Sequence, residues 1–140
     1  MHSPDYRALG NLRFQIRRFL HFSEEAARRE GLEPQQHQLM LAIRALDDPE
    51  GPTIGSLAEH LFIRHHSAVG LVDRLSERHL VERVRAGRDR RQVRVHLTQA
   101  GEEKLKRLSH AHRDELQITG PVLASALSNL LGQAAANRAE

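Results

Sequence analysis

With 140 residues, a formal charge of +3 and no cysteine, the chain has room for one hydrophobic core and cannot form a disulfide, a thiolate metal site or a thiol nucleophile. No segment approaches the roughly 18 consecutive apolar residues of a membrane span, and the N-terminus lacks the basic and apolar segments of a secretion signal. A cytoplasmic protein with no membrane partner is therefore expected. The charge is uneven: His60 to Arg94 holds nine arginines against Asp73, Glu77, Glu82 and Asp89, a net +5, so the remainder of the chain sums to −2.

In chain order, Leu9, Leu12, Ile16, Phe19, Leu20 and Ala27 recur at helical spacing and predict one long amphipathic helix over 4–30, stopped by Gly31. A second helix starts at Glu33-Pro34, where proline suits the first turn, and carries Leu39, Ile43 and Leu46 on its apolar stripe. It ends at the loop sequence "DDPEGP", Asp47 to Pro52, beyond which Thr53 is placed to cap a short helix through Leu61. Another helix runs from His65 to about Arg78 with Ala68, Val69, Leu71, Val72 and Leu75 facing a core. "LVERV" is then a first strand, "RAGRDR" a turn, and Val93, Val95 and Leu97 alternate with Gln92, Arg94 and His96 to give a second strand with one buried face. Thr98 caps a long helix with Leu105, Leu108, His112 and Leu116, which is expected to break at Gly120-Pro121 before a last helix carrying Val122, Leu123, Leu127, Leu130 and Leu131.

The fold class is thus mainly α with a small β-hairpin. Helix, short helix, tight turn, second helix and basic hairpin is the order of a winged helix-turn-helix. In that geometry the helix from His65 lies in the major groove with its first side chains on base edges, and the hairpin tip crosses the backbone towards the minor groove. This would explain why Arg85, Arg88, Arg90, Arg91 and Arg94 crowd one turn, since phosphates would neutralise them. A solvated charged surface is the alternative.

These residues also resemble the MarR (multiple antibiotic resistance regulator) family of bacterial transcriptional regulators. The resemblance runs without a gap from Ile54 to Gly101. It includes "LVDRL" (Leu71 to Leu75), "LVER" (Leu80 to Arg83) and the wing pattern in which Asp89 and Arg91 are separated by five residues from Leu97, Thr98 and Gly101. It implies a single MarR-like domain over 1–140, with a winged helix-turn-helix over 32–98 and dimerisation helices at 4–30 and 99–140. A homodimer reading a pseudo-palindromic double-stranded DNA operator would follow. Repression is the family's commoner mode. The chain departs from the pattern at Arg64, where a small capping residue is usual, and at "ERHL", where "ERGL" is usual, so His79 is expected in a left-handed conformation.

The candidate DNA-binding residues are Arg64, His65, His66, Ser67, Gly70 and Arg74 at the reading helix and Arg88, Arg90 and Arg91 at the wing. Asp89 is assigned a structural role, because a carboxylate facing phosphate is unfavourable. For Arg74 the alternative is an ion pair with Asp73 or Glu77 on its own helix. The resemblance further implies a small effector, often an aromatic acid. Phe14, Arg17, Arg18, His21 and Glu25 share one face of the first helix, and His37 and Leu41 are expected opposite Leu39 and Ile43. Phe14, Arg17, His21, His37 and Leu41 are the candidate effector-binding residues, unless that face is the dimer interface.

No cofactor is called for. His21 and Glu25, four apart, have the spacing of two metal ligands, so a zinc-responsive regulator is an alternative reading. An enzyme is disfavoured, since there is no phosphate-cradling loop, nucleophile elbow or carboxylate constellation. An RNA-binding or acidic-partner protein is disfavoured by the lack of aromatics on the basic hairpin.

Overall fold

The computed structural model describes the backbone of residues 5–85 and 92–139, with side chains up to residue 132. Helices α1 (Tyr6–Arg29), α2 (Pro34–Ala45), α3 (Ile54–Leu61) and α4 (His65–Glu77) precede strands β1 (Val81–Arg85) and β2 (Val93–Leu97), and α5 (Gln99–Ala139) follows. The mainly helical class with one antiparallel hairpin is the one read from the sequence. By their contacts the residues form two compact units, Ala27–Ser109 and a second in which the residues up to Ala26 associate with those from His110 onward.

Local chemistry sets the boundaries within Ala27–Ser109. Glu33 N-caps α2 in a capping box with Gln36, whose Oε1 accepts the Glu33 N–H at 2.9 Å, and Pro34 occupies the first turn. Thr53 Oγ1 accepts the Ser56 N–H at 3.1 Å to open α3. His79 adopts φ +60°, as expected for a residue standing where glycine is usual. The residues after it are joined to α5: Thr98 donates its N–H to the Leu80 carbonyl at 3.0 Å and its Oγ1 hydroxyl to the His79 carbonyl at 2.7 Å. The same Oγ1 accepts the Gly101 N–H at 3.1 Å and so caps α5. Gly101 is required there, because a Cβ would lie 2.1 Å from the Leu80 carbonyl oxygen. Around this frame Leu32, Leu39, Met40, Leu57, Val72, Leu75, Val81, Val95 and Leu108 are fully buried.

The hairpin pairs Val81 with Leu97 through to Arg85 with Val93. On the free edge of β2 the Val95 N–H donates to the Pro52 carbonyl at 2.9 Å, and Thr53 bridges Arg94. Arg94 and His96 do not simply face water. Arg94 donates to the Gly51 carbonyl at 3.1 Å and to Asp48 at 3.3 Å, and His96 Nε2 lies 2.9 Å from the Glu50 carbonyl. The acidic loop after α2 covers that side of the strand, so both its faces have partners.

Lys104 and Arg107 of α5 close the last turn of α1 within this unit. The Lys104 ammonium donates to the Glu30 carbonyl at 2.6 Å, and Arg107 forks onto the Glu30 carboxylate at 3.1 Å. The Arg107 hydrogen bonds hold the Glu30 carboxyl below its usual range, against a smaller opposing effect of burial.

The expected break at Gly120-Pro121 is absent: α5 is continuous and Pro121 lies inside it. Proline removes one intrahelical hydrogen bond and crowds the carbonyl four residues back. Here Pro121 and Gln117 are both exposed, so water can serve that carbonyl, while Leu123, Ala126 and Leu130 keep an inward row beyond it.

In the unit of α1 up to Ala26 and α5 from His110, the buried residues among those described are Gln15, Ser23, Ala26 and Ala126. His112 Nε2 lies 2.8 Å from Ser23 Oγ, and its ring meets Phe19 and Phe22 edge to face at 5.9 and 5.4 Å. The larger apolar side chains fare differently. Leu9 and Leu20, expected on the buried stripe of α1, are 47% and 48% exposed, and Tyr6, Ile118, Val122, Leu127 and Leu131 are exposed as well.

Candidate nucleic-acid interface

Helix α4 has two chemically distinct faces. Ala68, Leu71, Val72 and Leu75 are buried, while Arg64, His65, His66, Ser67 and Arg74 are exposed and Gly70 is half-buried. Arg64 occupies the N-cap with extended backbone, φ −70° and ψ 152°, and makes no side-chain capping bond. The first-turn N–H groups of α4 are therefore left without a side-chain acceptor at the cap, next to three exposed basic or imidazole side chains.

Arg74 does not take the ion pair available on its own helix. Asp73 pairs instead with Arg83 of β1, and the Arg74 guanidinium lies over Gly70, where a Cβ would be 3.7 Å from Nη1. This separates the two arginines by role: Arg83 ties the hairpin to α4, and Arg74 points outward. Arg88, Asp89, Arg90 and Arg91 lie outside the described residues.

The effector candidates fall in both compact units. Phe14, Arg17 and His21 are exposed on α1, and His21 Nε2 is 3.1 Å from Glu25. Among the described residues no third His, Asp or Glu joins that pair to form a metal-sized cluster. On α2, Leu41 is exposed, but His37 is only 3% exposed. The expectation that His37 lies away from the packed stripe is corrected: Gln36, His37, Leu39, Met40, Ala42 and Ile43 are all buried, and only Gln35, Gln38, Leu41, Arg44 and Ala45 face out. A cleft of about 500 Å³ occurs elsewhere, between Asp5 with Arg7, Ala8 and Asn11 of α1 and Ala126, Ser128, Asn129 and Gly132 of α5.

Sequence reasoning missed Phe62. It stands in the turn between α3 and α4, 96% exposed, with φ +55°. No glycine or asparagine marks the position, so composition gave no signal of a left-handed cap.

The fold, with α3 and α4 joined by a tight turn and followed by a hairpin, defines a winged helix-turn-helix protein. Residues 30–92, a little under half of the chain, match the model of the MarR family. A curated relative, the uncharacterized HTH-type transcriptional regulator YsmB of Bacillus subtilis (strain 168), is 34% identical over 65 residues. That stretch is 46% of this chain and 44% of the relative, so the match spans less than half the length of YsmB. The apo form of wild-type MarR from E. coli superposes with a TM-score of 0.71 over 96% of this chain and 98% of that one, at 19% identity. A transcriptional repressor, CouR, was solved bound to a 23-mer DNA duplex. It superposes with a TM-score of 0.66 over 88% of this chain and 87% of that one, at 26% identity.

Proposed function

We propose that this protein is a sequence-specific, double-stranded-DNA-binding transcriptional regulator that acts as a homodimeric repressor on a pseudo-palindromic operator and catalyses no reaction. The observation that carries the reading is the outward face of α4: Arg64, His65, His66, Ser67 and Arg74 stand exposed while the opposite face is packed. A helix presented this way can enter the major groove. Its uncapped first turn favours a phosphate oxygen, and Arg74 has a free fork for a guanine edge or a phosphate. The likeness to CouR, solved on a duplex, supports the same use. The wing arginines Arg88, Arg90 and Arg91 would add backbone contacts, with Asp89 as their structural partner.

The exposed Leu9, Ile118, Val122, Leu127 and Leu131 support the homodimer, because large apolar side chains left in water are what an obligate partner covers. For the effector the reading is a small anionic aromatic molecule, with Arg17 supplying a guanidinium, His21 an imidazole and Phe14 apolar surface on α1.

The test is fluorescence anisotropy on a labelled duplex from immediately upstream of the gene, against a scrambled duplex. A preference of roughly 10³-fold or more at physiological salt is expected, and equal binding to both would overturn the sequence-specific reading for that site. Calorimetric titration with a panel of aromatic acids checks the effector, and a silent panel would remove it.

A further inference from the structure

Phe62 is explained neither by the core nor by the polar face of α4. It caps α3 in a left-handed conformation, φ +55° and ψ +42°, and the following Ile63 N–H closes on the Ala58 carbonyl at 3.0 Å. This six-residue closure is the helix ending that glycine serves best, since in left-handed backbone a Cβ crowds the carbonyl. With 96% of its surface exposed, Phe62 gains no burial within the chain that would offset the strain. The ring stands three residues ahead of His65, beside the exposed start of α4. Between Glu59 and Asp73 the sequence holds no carboxylate but does hold His60, Arg64, His65 and His66, so the surroundings of the ring suit a polyanion better than a protein surface of mixed charge.

We propose that Phe62 is a specificity-determining DNA contact whose ring rests on a thymine methyl group at the edge of the major groove that α4 enters. The proposal rests on the DNA-binding reading given above. The thymine C5-methyl is the one apolar group that base pairs present in the major groove, and an aromatic ring is a suitable partner for it. Arg64 and the neighbouring imidazoles hold the backbone, and the ring reads whether a methyl lies beneath it.

The probe is a duplex selected by the wild-type protein from a randomised library, with each thymine replaced singly by uracil, which lacks only that methyl. The wild type loses about fourfold in affinity at one thymine per half-site, the value of one buried methyl-sized group. Phe62→Ala binds the thymine duplex about fourfold more weakly and is indifferent to uracil at that position, while its melting temperature is unchanged or higher, so unfolding does not account for the loss. A Phe62→Ala protein with the full uracil response overturns the proposal and leaves the DNA-binding reading intact. A uniform loss on every duplex regardless of uracil also overturns it, since that marks a backbone contact. If the wild type enriches no duplex, the DNA-binding reading fails and this proposal fails with it.

Discussion

The unit of residues 27–109 and the unit built from the two ends of the chain solve the same problem differently. The first places Leu32, Leu39, Met40, Leu57, Leu75 and Leu108 entirely inside itself and closes its boundaries with threonine caps and a glycine contact. Among its described residues the second buries two polar and two small ones, while Leu9, Leu20, Ile118, Val122, Leu127 and Leu131 remain exposed. One satisfies its hydrophobic demand within a single chain and the other leaves that demand open. A stretch of sequence can therefore have the right helical periodicity and still lack, within its own chain, the surface that its apolar stripe requires.

The sharpest way to break the comparison is inside the self-sufficient unit. Gly101→Ala drives a Cβ into the Leu80 carbonyl and is expected to cost about 3 kcal/mol, read as a lower denaturant midpoint at unchanged slope. Next in size is a charge on the open unit. Ile118→Asp or Leu127→Asp should weaken the proposed homodimer by about 2 kcal/mol in sedimentation while helicity is retained; dimers of unchanged affinity would move the interface elsewhere. Smaller again is relief of backbone strain. Phe62→Gly and His79→Gly should each stabilise by about 0.5–1 kcal/mol, since both residues hold positive φ, and only the first should alter thymine recognition.

The smallest effect tests the closure of α1. Because Arg107 holds the folded Glu30 carboxyl below its unfolded value, the pair contributes stability above the ordinary carboxylate range and loses it as pH falls through the folded value. Glu30→Gln should therefore melt lower than wild type at neutral pH, and the two curves should converge in acid.

Where local chemistry decides the structure, the sequence was readable. Thr53, Thr98 and Pro34 act at the helix starts assigned to them, and His79 takes the left-handed backbone that its position demands. Errors arose where a distant partner decides. Gly120-Pro121 reads as a break, yet α5 runs through Pro121 at a point where Gln117 and Pro121 are both exposed. Arg94 and His96 read as the wet face of a strand until the loop from Asp48 to Gly51 folds over them. His37 has a spacing that suits an outward face, yet α2 is packed on most of its circumference. Phe62 carried no signal, because a strained cap with a bulky residue looks in sequence like an ordinary apolar position.

The pairing of Arg83 with Asp73 and of Arg94 with Asp48 and Glu50 has an electrostatic consequence. DNA binding releases condensed counterions only for cations that the protein has not already neutralised. Nine arginines between His60 and Arg94 therefore overstate the ionic-strength dependence of binding. At least two of them are held by carboxylates of the chain itself, so the slope of log affinity against log salt is bounded below nine charges per subunit. Two arginines at the base of the hairpin are thus neutralised by the fold itself, while Arg64, Arg74 and Arg78 are among those left to displace ions from the duplex.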